Sequence, residues 1–269
     1  MAALFTSLLD LLRRTIWHSR AGTFRPAATE IQHAPVTLCS TSGKCTQELI
    51  FIRNITRGLC LATVFRAYGC EGESKGHRRE LEVYKELGFF RPFYFLRCFD
   101  WTTDGFYVVE YPEEGPIRDY LRRKIHSPPA AGLTQRWALE ATEAIDYLHS
   151  SGILHGDISC GNFFLDKSLK VKVGNFTNSR FFVRVPGDNS VLKDDIFDLG
   201  FFLYELGTGI ELYHGLSRAE KKEALGLNGF PDLSQIHGLG GVISKCWKSE
   251  FDLMDDVYHS IYQVICEEI

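Results

Sequence analysis

The sequence predicts an α+β fold with a small strand-rich first part and a larger helical second part. Short runs of β-branched and aromatic residues occur up to Glu110, and helical periodicity dominates after it. The segment 194–206 is apolar on nearly every side, which is typical of a buried central helix. The 269 residues are enough for one large domain or for two small lobes packed together.

The first part contains three predicted strands and one predicted helix. Strands are predicted at 48–53 and 59–68 from their β-branched and aromatic residues, with a turn between them. A helix is predicted over 77–87, ended by the glycine that follows it. A third strand is predicted at 105–110.

The second part begins with a long predicted helix over 134–149. Its apolar residues recur at helical spacing, so they form one face. Short strands are predicted at 163–173, followed by the buried helix and then by further helices and loops. The residues of the apolar face are Trp137, Ala141, Ala144, Ile145 and Leu148.

Composition limits the class of protein. The chain is 45% hydrophobic and 24% charged with a net charge of -4, an ordinary balance for a soluble globular protein. Nothing in that balance indicates nucleic acid as a main partner. The eight cysteines include no Cys-x-x-Cys pair. We therefore expect buried reduced thiols in a cytoplasmic or nuclear protein, and no structural zinc site.

Residues 1–45 are predicted to be an N-terminal extension or linker. Residues 4–16 carry leucine, phenylalanine and isoleucine at helical spacing, with more arginine than acid around them. Two interpretations stay open: an amphipathic helix or loose extension of the domain, and an organellar presequence or interfacial helix. Residues 21–47 are rich in Ser, Thr, Ala and Pro, which indicates an irregular linker. No run reaches 18 apolar residues, so we expect no transmembrane segment.

The strongest local signal runs from His155 to Asn162, between the long helix and the short strands. Asp157 is followed five residues later by Asn162 in a predicted tight loop. This spacing lets the carboxylate accept a proton while the amide oxygen binds a metal ion. The motif Asn-Phe-Thr begins thirteen residues further on, at Asn175, after a short strand-like run.

These motifs resemble the catalytic loop and the Asp-Phe-Gly metal loop of protein kinases, at the same spacing. The resemblance covers about residues 50–265. The segment 108–121 is similar to the kinase hinge and the helix after it, and 194–200 is similar to the start of the central helix of the C-lobe. The order His-Gly-Asp-Ile-Ser, beginning at His155, resembles a group of degenerate kinase-like proteins common in filamentous fungi.

The resemblance implies a bilobal protein-kinase-like fold with one kinase-like domain. Its reduced, β-rich N-lobe is expected over 46–111 and its helical C-lobe over 112–269. ATP and magnesium are the implied cofactors, and a protein is the implied substrate or partner.

The resemblance also assigns roles to single residues. Asp157 and Asn162 are the implied catalytic residues, with Asp157 as the base. Asn162 and Asn175 are the implied metal ligands, His155 is a structural residue, and Asp195 braces the loop. The residues implied to bind the nucleotide are Glu80, Arg66, Gly58, Val109, Glu110, Tyr111 and Asn175.

Glu80 has a second, independent argument. It lies on a helical stripe that is otherwise apolar, with Val83, Tyr84 and Leu87. A carboxylate that faces a core needs a partner, which in a kinase is the strand lysine that also grips the phosphates. An ordinary surface glutamate at the edge of the stripe is the other interpretation.

Several groups that kinases use for metal and phosphate are replaced. Asn175 stands in place of the metal-loop Asp, and a neutral amide is a weaker ligand for a hard cation. Arg66 lies nearest to the position of the nucleotide lysine, unless that lysine is simply missing. The glycine-rich loop is reduced to Gly58, and one glycine does not make a full cradle of N–H groups.

The residues that handle the protein substrate in kinases also differ in this sequence. Gly156 replaces the Arg that would pair with a phosphorylated activation loop. Ser159 stands where serine/threonine kinases carry a lysine. Only 19 residues separate Asn175 from Asp195, with no Ala-Pro-Glu among them, so the peptide platform is short or absent.

Three functions are therefore compared. The favoured one is a catalytically impaired pseudokinase that binds nucleotide or acts as a scaffold, with Asp157 and Asn162 kept as hydrogen-bonding braces. The second is an atypical active serine/threonine kinase that uses Asp157 as base and Asn162 and Asn175 as weak metal ligands. The third is a small-molecule phosphotransferase of the aminoglycoside-kinase type. The replaced groups argue against ATP and magnesium as cofactors.

Overall fold

The computed structural model describes residues 29–34, 48–54, 60–65, 71–88, 92–101, 107–110, 112–124, 129–234, 236 and 238–267. These residues fall into two compact units. The first unit is made by the described residues up to Gly88 and by those from Leu96 to Glu110. The second unit consists of residues 92–95 and of the described residues from Pro112 onward.

The first unit contains a five-stranded antiparallel sheet and one helix. The strand order is β1-β2-β3-β5-β4. The helix, α1, runs from Glu71 to Leu87. The strands are β1 Thr29–Ala34, β2 Glu48–Asn54, β3 Cys60–Phe65, β4 Cys98–Trp101 and β5 Tyr107–Glu110.

Two of these strands were not predicted. β1 lies inside the segment 21–47, for which the sequence indicated a linker, so that interpretation is wrong for residues 29–34. β1 pairs along its whole length with β2, with Ile31 opposite Ile52. Pairing between strands separated by a long connection is a non-local interaction, and local composition does not reveal it. β4 is short and is interrupted by a register shift next to Cys98.

Helix α1 ends where the sequence predicts and begins earlier. Gly88 has a φ of +63° and its N–H donates to the carbonyl of Tyr84, which is a glycine C-terminal cap. The helix starts at Glu71, six residues before the predicted start. Two glycines in that first stretch lower its helix propensity and obscured the start in the sequence.

The second unit is helical with two small antiparallel sheets. One sheet has the order β6-β8-β9 and the other pairs β7 with β10. The strands are β6 Gly115–Pro116, β7 Ile153–Leu154, β8 Phe163–Leu165, β9 Val171–Val173 and β10 Arg180–Phe181. The helices are α2 Ile117–Arg123, α3 Ala131–Ser150, α4 Lys193–Thr208, α5 Arg218–Asn228, α6 Gly240–Trp247 and α7 Met254–Glu267.

The core of this unit is built on α3 and α4, and both helices were predicted. All five residues of the predicted apolar face of α3 have no exposed surface. Every residue of α4 from Asp195 to Leu206 is buried, which confirms the prediction of a central helix without a polar face. Together with the sheet of the first unit, this confirms the α+β fold class.

Three other predictions concern cysteines, membranes and the N-terminus. In the described part of the chain, Cys98, Cys160 and Cys246 are buried, Cys266 is exposed, and all four are free thiols. No helix among the described residues has the length and apolarity needed to cross a bilayer. The predicted amphipathic helix at 4–16 lies outside the described residues.

The contact between α4 and α6 gives a stability prediction. A Cβ atom at Gly200 would lie 2.6 Å from Nε1 and 2.8 Å from Cδ1 of Trp247. We expect Gly200→Ala to lower the free energy of unfolding by about 1–3 kcal/mol, because the buried indole has to shift. Chemical denaturation measures this change.

The matched control is Gly226→Ala in the exposed part of α5. A Cβ there meets nothing within 4 Å. Alanine is the better helix former by about 1 kcal/mol, so this variant should be as stable as the natural chain or more stable. Equal stability losses in the two variants would contradict the packing described for α4 and α6.

Candidate functional site

The loop from His155 to Asn162 lies between β7 and β8 and is held by Asp195 of α4. The carboxylate of Asp195 accepts the backbone N–H of His155 at 2.8 Å through Oδ2 and that of Gly156 at 2.9 Å through Oδ1. Asp195 is only 1% exposed. Two backbone donors in the loop are thus satisfied by one buried carboxylate.

A third donor reaches the same carboxylate from α3. The ring Nε2 of His149 lies 2.9 Å from Oδ2 of Asp195. Burial alone would raise the pKa of Asp195, but the hydrogen bonds from His149 and Gly156 hold it below its ordinary value. Asp195 is therefore ionised near neutral pH, and it joins the end of α3, the loop and the start of α4.

The ring of His155 fills the space under the loop. It is fully buried and packs against Phe163 and Phe176, with ring centroids 5.8 and 5.5 Å away. Nε2 lies 3.3 Å from the carbonyl oxygen of Gly174, and Nδ1 accepts the N–H of Asp157 at 3.3 Å. A carbonyl only accepts, so Nε2 carries the proton. Burial lowers the pKa of His155, which keeps the ring neutral.

The other end of the loop is held by Arg118 of α2. Its backbone N–H donates to the carbonyl of Cys160 at 2.9 Å. Its guanidinium donates twice to Glu205 of α4, at 2.6 and 2.8 Å, and lies 2.9 Å from Glu211. A bidentate pair of this kind fixes both position and orientation. The loop is thus anchored to α4 at both ends.

Gly156 cannot be replaced without moving the backbone. Its φ is +78°, a conformation that favours glycine. A Cβ atom there would lie 2.4 Å from the carbonyl oxygen of Asn178. The segment after Asn175 therefore occupies the space that a larger side chain at this position would need.

The two implied metal ligands are hydrogen-bonded to each other. Nδ2 of Asn162 donates to the backbone carbonyl of Asp157 at 2.8 Å. Oδ1 of Asn162 accepts from Nδ2 of Asn175 at 2.6 Å. Oδ1 of Asn175 in turn accepts from the hydroxyl of Thr177 at 3.0 Å. We call these three hydrogen bonds the amide chain.

The direction of the amide chain is fixed by its first member. The carbonyl of Asp157 can only accept, so Asn162 must present its nitrogen there and its oxygen to Asn175. Asn175 must then donate from its Nδ2 to that oxygen, and its own Oδ1 accepts the hydroxyl of Thr177. Both side-chain oxygens that would coordinate a metal ion are occupied by hydrogen-bond donors.

This donor set does not fit Mg²⁺. The ion takes oxygen ligands at about 2.0–2.1 Å in near-octahedral geometry. Here the group that faces Oδ1 of Asn162 is the amide nitrogen of Asn175, a donor that carries partial positive charge. Among the described residues no cluster of three or more His, Cys, Asp or Glu side chains could hold a metal ion.

Asp157 retains part of the geometry of a base. Its Oδ2 accepts from Nδ2 of Asn178 at 3.0 Å. Within the described part of the chain, no hydrogen bond to its Oδ1 is present. The carboxylate is partly exposed, so Oδ1 is open to a proton donor.

Comparison with known proteins identifies the superfamily of the domain that carries this loop. The family model of the protein kinase domain matches residues 67–191. This match and the curated relatives support membership of the protein-kinase superfamily. The recognition made from the sequence is confirmed at this level, whereas the narrower resemblance to fungal kinase-like proteins stays a prediction.

The relatives of this kinase-superfamily chain include proteins named as kinases in several eukaryotes. A probable serine/threonine-protein kinase of Dictyostelium discoideum is 27% identical over 168 residues, covering 54% of this chain and 12% of that protein. The serine/threonine/tyrosine-protein kinase HT1 of Arabidopsis thaliana is 26% identical, covering 52% and 41%. Integrin-linked protein kinase 1 of Arabidopsis thaliana is 28% identical, covering 53% and 36%. The chain thus spans less than half the length of each of these relatives.

The nucleotide-binding residues predicted for this kinase fold are described only in part. Glu80 of α1 is 6% exposed and accepts a 2.7 Å hydrogen bond from the hydroxyl of Tyr107, within the first unit. Burial and the nearby charge of Glu80 raise the pKa of Tyr107 well above its ordinary value. Val109 is buried on β5, and Glu110 ends that strand. The remaining three, Arg66, Gly58 and Tyr111, lie outside the described residues.

Three contacts of the kinase loop were not predicted. His149 lies on the predicted helix over 134–149, but the sequence of that helix does not indicate that His149 contacts an acidic residue. Asn178 follows Asn175 by three residues, and the polar run between them was a signal that could have found it. Arg218 of α5 donates to the carbonyl of Gly156 at 3.2 Å and to Asp198 at 3.0 Å. It comes from a helix far along the chain, so no local pattern could reveal it.

The buried ring of His155 predicts a pH dependence of stability. A histidine whose pKa is lowered on folding stabilises the native state only above its unfolded pKa, and that stability is lost as pH falls through about 6.5. We expect His155→Phe to flatten the fall in unfolding free energy between about pH 7.5 and 5.5, by up to about 1.4 kcal/mol per pH unit. Urea unfolding at a series of pH values measures this.

Two comparisons isolate the contribution of His155. Burial raises the pKa of Asp198 to about 6, so this group contributes a slope of opposite sign, present in both chains. Phe176→Leu is the control, because it disturbs the packing beside the His155 ring without removing a titratable group, so stability should fall by a similar amount at every pH. The same slope in His155→Phe as in the natural chain would show that the ring is not neutral in the native state.

Proposed function

We propose that this chain is a catalytically impaired member of the kinase superfamily that acts as a scaffolding or nucleotide-binding module. The observation that carries the proposal is the 2.6 Å hydrogen bond from Nδ2 of Asn175 to Oδ1 of Asn162. The two residues in the positions of the metal ligands satisfy each other without a cation. Phosphotransfer from ATP needs magnesium to neutralise the charge that develops on the phosphates.

The cost of opening the amide chain supports this proposal. To offer both oxygens to a metal ion, Asn175 has to give up its bonds with Asn162 and Thr177. Each hydrogen bond contributes about 0.5–1.5 kcal/mol. In return the ion would gain two neutral amide oxygens, which attract it less than the carboxylate that kinases place there.

The hinge offers few backbone donors for a nucleotide base. The N–H of Glu110 donates to the carbonyl of Arg97 at 2.7 Å, within the sheet of the first unit. Pro112 has no N–H. Of the described residues 110 and 112, neither therefore offers a backbone N–H to a nucleotide base, which is one argument for a scaffolding role.

A second candidate is an atypical active serine/threonine kinase. The open Oδ1 of Asp157 favours it, because a base needs one oxygen within reach of the substrate hydroxyl. The relatives named above are protein kinases, which favours a protein over a small molecule as substrate or partner. The small-molecule phosphotransferase is the least supported alternative.

Restoring a carboxylate at position 175 tests the proposal. Asn175 has φ and ψ near +60°, which aspartate also tolerates, so Asn175→Asp should keep the backbone. The introduced carboxylate would face Oδ1 of Asn162, so we expect the free energy of unfolding to fall by about 1–3 kcal/mol without metal. Millimolar magnesium should restore part of this loss in Asn175→Asp and should not stabilise the natural chain. Thermal unfolding with and without magnesium and ATP measures both effects.

The same proteins are assayed for autophosphorylation and for transfer of labelled phosphate to a generic protein substrate. Asn228→Asp, on the exposed end of α5, is the control for the added charge and should show no response to magnesium. Magnesium-dependent turnover by the natural chain that is lost in Asp157→Ala would overturn the proposal. It would establish the active kinase instead.

A further inference from the structure

The short strand β10 has a free edge in the segment between the amide chain and α4. It pairs with β7 in the register Arg180 to Leu154 and Phe181 to Ile153. The N–H of Phe182, the residue after β10, donates to the carbonyl of Gly152, so the bonding to β7 continues one residue past the strand and alternates with Phe181. The N–H and C=O of the alternating residues point away from β7.

The residues on this free edge are Phe181 and Val183, and both are exposed. Phe181 is 48% exposed and Val183 is 88% exposed. In the part of the chain that the structure describes, no backbone partner bonds to the outward groups of either residue. Proteins usually protect an edge with charged side chains on its exposed face. Here the exposed residues are the apolar Phe181 and Val183, and Val185 beyond them begins a turn that is closed by the hydrogen bond from the N–H of Asp188 to its carbonyl.

The opposite face of the same segment carries positive charge. Arg180 and Arg184 lie on either side of the half-buried Phe182, and both are exposed. Neither lies within ion-pair distance of a carboxylate among the described residues, although the charge of Arg184 acts on the carboxyl group of Asp146. The segment from Arg180 to Arg184 therefore presents three recognition elements: outward backbone groups, apolar side chains and two exposed guanidiniums.

We propose that this edge, Arg180–Arg184, binds an extended protein segment of the pattern acid–apolar–any–apolar–acid by antiparallel strand addition. In that register the two apolar residues of the partner lie opposite Phe181 and Val183, and they exchange backbone hydrogen bonds with them. The two acids lie opposite Arg184 and Arg180, where opposite charges directly across a strand pair are stabilising.

A second copy of this chain fits the edge poorly. The self-pairing that uses the outward groups of both Phe181 and Val183 is centred on Phe182. It places Arg180 directly opposite Arg184 of the other copy, twice over. Like charges directly opposite are destabilising. The charge pattern thus selects an acidic partner over self-association.

This inference names the partner chemistry of the scaffolding role proposed above and rests on that role. Strand addition to β10 requires neither ATP nor the amide chain. Binding and phosphotransfer can therefore be measured separately. If the chain binds the acidic segment and also transfers phosphate, the impaired-kinase proposal fails and the binding proposal stands. If the chain is inactive and does not bind the segment, the binding proposal fails and the impaired-kinase proposal stands.

The test uses a blocked heptapeptide, acetyl-Ser-Glu-Val-Thr-Val-Glu-Ser-amide, and the full chain. Two methylated versions are compared with it. Methylation of both valine nitrogens removes the donors that face β10, and methylation of the threonine and second glutamate nitrogens removes donors that face solvent. We expect the first version to bind about tenfold more weakly or worse, because two hydrogen bonds are lost, and the second to bind like the parent. Fluorescence anisotropy and amide shifts of Phe181 and Val183 in NMR spectra report binding.

Charge reversal provides the second arm. The double variant Arg180→Glu with Arg184→Glu should bind the heptapeptide about tenfold more weakly and should prefer a version with lysine in place of glutamate. The control double variant, Lys167→Glu with Lys248→Glu, makes the same change in net charge elsewhere and should bind normally. Thermal unfolding of all variants shows that they are folded.

Three results would overturn the inference. The first is equal binding of the two methylated peptides, which would exclude strand pairing. The second is no binding of the parent peptide at millimolar concentration, or a preference of the natural chain for the lysine version. The third is a dimer in sedimentation whose formation shifts the amides of Phe181 and Val183, which would make a second copy the occupant.

Discussion

The carboxylate of Asp195 is the interaction on which the loop of this kinase-superfamily chain depends. It accepts two backbone N–H groups of the loop and a ring nitrogen of His149, so it joins α3, α4 and the loop at one buried point. An ionised group with so little exposure is stable only because three donors replace its lost water. Arg118 and Glu205 repeat the principle at the other end of the loop.

This dependence separates two demands that are combined in an active kinase. One demand is that the loop keeps its path, and Asp195, His155 and Asn162 meet it with contacts inside the protein. The other is that the loop handles magnesium and phosphate, and the side chain of Asn175 here serves the first demand through its hydrogen bond to Asn162. The amide chain is neutral throughout, so it needs no cation to balance it. A motif that looks catalytic in sequence is thus stabilised here by the fold's own hydrogen bonds.

The fold could be predicted from the sequence wherever the signal is local. The faces of α3 and α4 were predicted because periodicity and burial coincide over many residues. β1 was missed because its pairing with β2 is non-local and its composition is that of a linker. At the site, the residue types were visible in the sequence, whereas the direction of the amide chain was not. That direction depends on a backbone carbonyl, that of Asp157, which no sequence pattern reports. Arg218 was missed for a similar reason, since it reaches Gly156 from a distant helix.

The close approach of Gly156 to the carbonyl of Asn178 couples two segments of the chain. A Cβ atom at position 156 would lie 2.4 Å from that backbone oxygen. Any side chain there therefore requires the segment from Asn175 onward to take another path. Because Asn175 is also a member of the amide chain, a substitution at Gly156 would change the hydrogen bonds of Asn162 without touching either asparagine. The smallest residue of the loop thus controls the position of its amide groups.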